Sequence, residues 1–138
     1  MPVWEIDGNL ARSGRPGYLW ELDVPVPRNA VDAWISEIRG FGIRSIICLL
    51  ADDQLSLYAE LPGGLLKHYE QAGFQVAHVP AEDHLRPPLS PGQLALVWSA
   101  YQRLPKPVVV HCSAGISRSG AAIEHIMNQV RDLSPDRA

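Results

Sequence analysis

Val108-Val109-Val110 runs directly into His111-Cys112-Ser113-Ala114-Gly115-Ile116-Ser117-Arg118-Ser119, and an amphipathic stretch over residues 121–130 follows. Three β-branched residues in a row read as a buried strand, and the stretch after the run reads as a helix. The nine residues between them form a loop that ends at a helix N-terminus. Unpaired backbone N–H groups converge there, at the positive end of the helix dipole. A loop of that kind cradles an oxyanion or a phosphate group. Cys112, at its start, has its thiolate stabilised by the same field. Arg118, six residues on, adds a planar two-pronged donor matched to two oxygens of such a group. A buried Cys beside an incidental Arg is the plainer reading, and the strand, helix and spacing taken together weigh against it.

The rest of the chain alternates strands with helices. Residues 3–6 and 9–12 form an edge hairpin around Asp7-Gly8. The Gly- and Pro-rich residues 14–28 form an ordered surface loop. Val31, Trp34, Ile35 and Ile38 fall at helical spacing before Gly40 and Gly42. Residues 43–50 are an apolar run of strand length, 54–61 and 65–72 are helical, and 74–79 alternate as a strand. Ser90-Pro91 caps and opens a helix running to Leu104, with Leu94, Val97, Trp98 and Tyr101 also inward. The expected fold is α/β, a mainly parallel central sheet with helices on both faces and the site at the carboxyl ends of its strands. Trp34 and Trp98, on inward helical faces, belong to the core rather than the site. At 138 residues, the chain reads as a single domain over residues 1–138.

Composition excludes several classes of function. Ten of the 12 Lys and Arg residues are Arg, scattered without a basic stripe, and the net charge is −3, so nucleic acid is not an expected partner. No apolar run approaches the ~20 residues that span a bilayer, so no membrane partner is expected. Two cysteines, one of them in a reactive loop, point to a reducing, cytoplasmic location.

Cys112-x5-Arg118 followed by Ser119 resembles the signature loop of the cysteine-dependent protein tyrosine phosphatases. The short chain is similar to their compact dual-specificity group. The resemblance implies that Cys112 attacks phosphorus to form a phosphocysteine, with no metal and no cofactor. It implies that Arg118 and the loop residues Ser113, Ala114, Gly115, Ile116 and Ser117 hold the phosphate oxygens. Ser119 would stabilise the departing thiolate, and His111 would brace the loop by hydrogen bonds. The expected substrate is a phosphoprotein, on Tyr or Ser/Thr, or another phosphomonoester.

The leaving oxygen also needs a proton, from a carboxylic acid on a loop that closes over the site. Asp52, Asp53, Glu82 and Asp83 are the acidic candidates before the signature, and residues 80–88 lie where a lid should be. Leu55-Ser56-x-Tyr58, Leu65-Leu66, Tyr69-Glu70-Gln71-Ala72-Gly73 and Pro80-x-x-Asp83 resemble the cyclin-dependent-kinase-associated phosphatase subgroup. That resemblance assigns the general acid to Asp83, with Glu82 the alternative and Asp52 and Asp53 solvated loop charges.

Relatives that act on inositol lipids tend to carry Lys inside the signature loop. Its absence here weighs against polyphosphorylated lipids, inositol polyphosphates and RNA 5′-triphosphates. Two other readings remain: a phosphate-recognising adaptor without turnover, and sulfur or arsenate chemistry at the same loop. Related domains usually add one or two helices after the signature helix, yet the chain stops soon after Ser134-Pro135-Asp136, which looks like the start of one. Without those helices an apolar face would invite self-association, so the oligomeric state stays open. Some relatives trap the oxidised nucleophile with a Cys near the end of the strand over 43–50. Cys48 sits one pleat short of that place, which favours a buried small hydrophobe over a disulfide partner.

Overall fold

The computed structural model describes residues 2–19 and 23–133. Five strands form one sheet in the order β1 (Val3–Ile6), β2 (Leu10–Ser13), β5 (Val108–His111), β3 (Ser45–Cys48), β4 (Gln75–His78). Only the β1–β2 hairpin is antiparallel; β2–β5, β5–β3 and β3–β4 run parallel. Chain reversal between parallel strands needs crossovers, supplied by α1 (Arg28–Gly40), α3 (Gly64–Gln71) and α4 (Pro91–Arg103), with α5 (Ser117–Leu133) following the last strand.

The pleat sorts the strand residues into two cores, since successive side chains point to opposite faces. Ala11, Ile46, Cys48 and Val109 face one side, where Val31, Trp34, Ile35 and Ile38 of α1 and Leu65 and Tyr69 of α3 cover them. Leu10, Ile47, Ala77, Val108 and Val110 face the other, beneath Val97, Ala100 and Tyr101 of α4 and Ala122, Ile123 and Ile126 of α5. β5 lies in the middle of the sheet with all four residues buried. That burial on both faces is why its sequence is a continuous apolar run rather than an alternating one.

Ser90 caps α4 as its sequence requires. Its Oγ accepts from Gln93 N at 3.1 Å, and Gln93 Oε1 accepts from Ser90 N at 2.8 Å. Trp98 is half-buried and stacked on Tyr101, at the edge of the core rather than inside it. Other boundaries differ from the periodicity. The helix expected over 54–61 is instead α2 (Asp52–Leu55) followed by a 3-10 turn (Ser56–Tyr58). The tighter turn lets Tyr58 OH donate to Pro16 O at 2.7 Å, pinning the segment that follows β2. The start of a further helix at Ser134-Pro135-Asp136 lies outside the described residues. No helix among the described residues is long and apolar enough to cross a membrane.

Candidate active site

β5 ends at His111, and Cys112 through Ile116 connect it to α5. The helix begins at Ser117, four residues before the apolar periodicity suggests, because Gly120 N donates to Ile116 O at 2.7 Å and closes the first turn early. Arg118 and Ser119 therefore issue from a helix rather than from the loop. Gly115 has φ +81°, and a Cβ there would lie 2.7 Å from Ser13 C, Ser13 O and Gly14 N. Only glycine satisfies both constraints, so the loop's shape is set against the end of β2.

Arg118 is 1% exposed. Its Nη1 donates to Ala81 O at 2.7 Å, Gln54 Oε1 at 2.8 Å and Leu49 O at 3.3 Å. Those three acceptors fix one edge of the guanidinium. Nε and Nη2, both buried, make no hydrogen bond within the protein. Leaving buried guanidinium donors unmatched costs free energy unless an acceptor arrives from elsewhere. Asp83 Oδ2 approaches Nη2 at 3.3 Å without hydrogen-bond geometry. Asp83 is itself held by its neighbour, since Oδ1 accepts from His84 N at 3.0 Å. Its loop is anchored at both ends by buried Ala81 and Leu89, and Gln93 Nε2 donates to Pro80 O at 2.9 Å.

A cavity of about 470 Å³ opens over these groups, of a size that accepts a small ligand. Cys112, Ser113, Ala114, Ile116, Ser117 and Arg118 form its floor. Asp83 and the residues after it make one wall, and Tyr18 and Asp23 make another. Gly115, Ser119 and His111 lie behind the lining. Ser119 Oγ is buried without a hydrogen-bond partner. Glu82, Asp52 and Asp53 are exposed and do not line the cavity. Of the four acidic candidates, the structure brings Asp83 alone to Arg118.

His111 is fully buried behind Cys112. Its Nδ1 donates to Cys112 O at 3.3 Å, which leaves Nε2 to accept from Tyr69 OH at 3.0 Å. The Trp34 and Tyr69 rings pack edge-on against the imidazole. Burial is the main cause that lowers its pKa to about 4, and Tyr69's phenol is pushed well above its ordinary value for the same reason. His111 is thus a neutral brace at physiological pH. Between pH 6.5 and about 4 the unfolded chain binds a proton here that the folded chain does not. Acidification across that window therefore costs stability, on the order of 3 kcal/mol in full. We expect denaturant unfolding at pH 7 and pH 4.5 to show a smaller difference in His111→Asn than in the wild type. Equal differences would remove His111 as the source.

Cys48 is fully buried in the core under α1 and α3, whereas Cys112 belongs to the opposite core cluster. Burial pushes the Cys48 thiol up to about 12, so it offers no thiolate. It packs as a small apolar side chain.

Four supporting residues escaped sequence reasoning. Gln54, one of three acceptors for Arg118, is a buried polar residue at the start of the stretch expected to be helical. Trp34 was legible only as core, and Tyr69 only as part of the motif that carries the subgroup resemblance. Arg15, 2% exposed, is a second buried arginine whose N and Nε donate to Ser113 O at 2.8 Å and Ser113 Oγ at 3.2 Å. It sits in a Gly- and Pro-rich segment with no periodicity to mark it. Among the described residues no group of three or more His, Cys, Asp or Glu side chains is placed to hold a metal ion.

Comparison with known proteins agrees with this geometry. The structure superposes on Tk-PTP in its active form with TM-score 0.64 and 26% identity, covering 96% of this chain and 78% of that one. Kinase associated phosphatase (KAP), carrying serine in place of its catalytic cysteine, gives 0.59 and 21%, covering 94% and 77%. The core catalytic domain of the PP-IP phosphatase SIW14 from S. cerevisiae gives 0.55 and 18%, covering 95% and 67%. At those last two identities the likeness is one of fold. No curated protein matches. Residues 22–130, most of the chain, match the family described as "Polymorphic toxin system, DSP-PTPase phosphatase". The chain belongs to that family, and it is a compact cysteine phosphatase of the dual-specificity type.

Proposed function

We propose that the chain, acting as a single domain, hydrolyses phosphomonoesters on proteins through a phosphocysteine intermediate. The observation that carries this reading is Arg118. One edge of its guanidinium is fixed by three protein acceptors, while Nε and Nη2 make no hydrogen bond, with the Asp83 carboxylate 3.3 Å from Nη2, and Arg118 lines the same cavity as Cys112. That is an oxyanion receptor held ready at a nucleophile.

In the first step the Cys112 Sγ–P bond forms and the bond from phosphorus to the leaving oxygen breaks. Asp83 gives its proton to that oxygen. In the second step a water oxygen bonds to phosphorus, its proton passes to the Asp83 carboxylate, and the S–P bond breaks to return the thiolate. Ser119 Oγ, buried and unpartnered, supplies a hydrogen bond to that thiolate. The loop amides and Arg118 hold the phosphoryl oxygens throughout. Phosphotyrosine and phosphoserine or phosphothreonine in proteins are the substrate class, and the cytoplasm is the setting. The family's description adds a biological context, a phosphatase of a polymorphic toxin system.

The test is hydrolysis of a generic aryl phosphate without added metal and with vanadate as competitor. Turnover blocked by vanadate is expected; no turnover in a folded preparation overturns the reading. Asp83→Asn should lower turnover of alkyl and peptide phosphates by about 10²–10⁴-fold. Its effect should be much smaller for an ester whose leaving group departs without a proton. If Glu82→Gln gives this pattern and Asp83→Asn does not, the acid is Glu82.

A further inference from the structure

Arg15 is buried against the signature loop. Its backbone N donates to Ser113 O, and its Nε donates to Ser113 Oγ. Nη1 donates to Tyr58 OH at 3.3 Å, and that hydroxyl donates in turn to Pro16 O. Burial pushes the Tyr58 phenol up to about 12, so it stays a neutral bridge. Nη2 lies 3.6 Å from Asp23 Oδ1, and the guanidinium sits 5.8 Å from the centre of the Tyr18 ring. Asp23 and Tyr18 both line the cavity. One buried side chain thus ties the first loop residue after the nucleophile to the 3-10 turn and to a wall of the pocket.

Ser113 O and Ala114 N belong to the same peptide unit, which is trans, so the carbonyl and the N–H point in opposite directions. Because Ser113 O is held on Arg15 N, the Ala114 N–H of the same peptide points away from Arg15, and Ala114 lines the cavity. Gly14 makes the same approach possible, since a Cβ there would come within 3.2 Å of Ser113 O. A loop amide aimed before the oxyanion arrives binds it without a reorganisation cost.

We propose that Arg15 is a positioning residue for the phosphatase site: its guanidinium, through Ser113 Oγ, locks the loop peptide that its backbone N–H holds, and adds a buried positive charge beside it. The proposal rests on the phosphatase reading above, and its test is built on binding of inorganic phosphate, which needs no turnover. Arg15→Met keeps the backbone N–H and the apolar stem but removes the guanidinium. It should weaken phosphate binding by calorimetry, and lower kcat/KM for an aryl phosphate, each about tenfold, as for a lost charge-assisted hydrogen bond. Arg15→Lys, which keeps the charge without the fork, should fall between the two. Combining Arg15→Met with Ser113→Ala should cost less than the sum of the single losses, because both act through one contact. Phosphate affinity within twofold of wild type in Arg15→Met, with only the melting temperature lowered, overturns the proposal. So does strict additivity. If Arg15→Met does not fold, Ser113→Ala must by itself weaken phosphate binding several-fold, and unchanged binding there overturns it equally. Absence of hydrolysis by the wild type would defeat the phosphatase reading and leave the phosphate-binding result to be judged separately.

Discussion

Cys112→Ser should abolish turnover of an aryl phosphate while phosphate still binds. Removing a nucleophile that acts as a unit with its neighbours costs on the order of 10⁴-fold or more in rate. The serine hydroxyl is isosteric enough to leave the floor of the cavity intact. It is also neutral, so it presents no like charge to the incoming dianion, and binding should be at least as tight as in the wild type. Rapid-quench kinetics and phosphate calorimetry on the same preparation check both halves. More than a few per cent residual turnover would move the nucleophile elsewhere. Loss of binding along with turnover would mean that the thiol shapes the loop rather than attacks.

Arg118→Lys should be nearly as damaging, for a reason specific to this protein. The guanidinium serves two masters: Nη1 satisfies Leu49 O, Gln54 Oε1 and Ala81 O, while Nε and Nη2 make no hydrogen bond and are left for an oxyanion in the cavity that Arg118 lines. A single ammonium cannot do both. If it stays on the protein acceptors, the oxyanion loses two charge-assisted hydrogen bonds, which corresponds to about 10²–10⁴-fold in kcat/KM. If it turns to the oxyanion, buried acceptors are orphaned at about 1–3 kcal/mol each. We therefore expect steady-state kinetics and thermal unfolding to trade against each other, with phosphate restoring less stability than it does in wild type. Near-wild-type kinetics would remove Arg118 from the site. Gln54→Ala, by contrast, removes one of three acceptors and leaves the charge in place.

How much of this was legible in the sequence depends on the range over which each feature is determined. The Cys112–Arg118 spacing is local, fixed by one strand end and one helix start, and the residue types carry their own chemistry. Ser90-Pro91 opens α4 by contacts within four residues. The α/β layering follows from apolar runs at β3 and β5 alternating with amphipathic helices. What escaped was tertiary. Gln54 meets Arg118 across 64 residues and Arg15 meets Ser113 across 98; Gln54 reads as the polar start of a helix and Arg15 as part of a surface loop, and no local pattern marks either as buried. The early start of α5 escaped because Ser117-Arg118-Ser119-Gly120 has no apolar periodicity; the capture of Ile116 O by Gly120 N makes it helical. Asp83 was separated from Glu82 by family resemblance, and the structure places Asp83, not Glu82, beside Arg118.

The docking of Gly115 against Ser13 and Gly14 has a consequence for how the molecule comes into being. β2 finds its parallel partner only in β5, and the loop finds its template only in the segment after β2, 98 residues away between Arg15 and Ser113. Contacts of such separation close late, because the loop entropy must be overcome before they return anything. The β1–β2 hairpin precedes β5 in the chain and has no parallel strand to pair with until β5 is made. The remaining strands and helices can begin to assemble in the meantime, but the cradle cannot. Competence for chemistry should therefore appear in the last kinetic phase of refolding, after most of the helical signal has returned, and the site is inert until β2 and β5 have met.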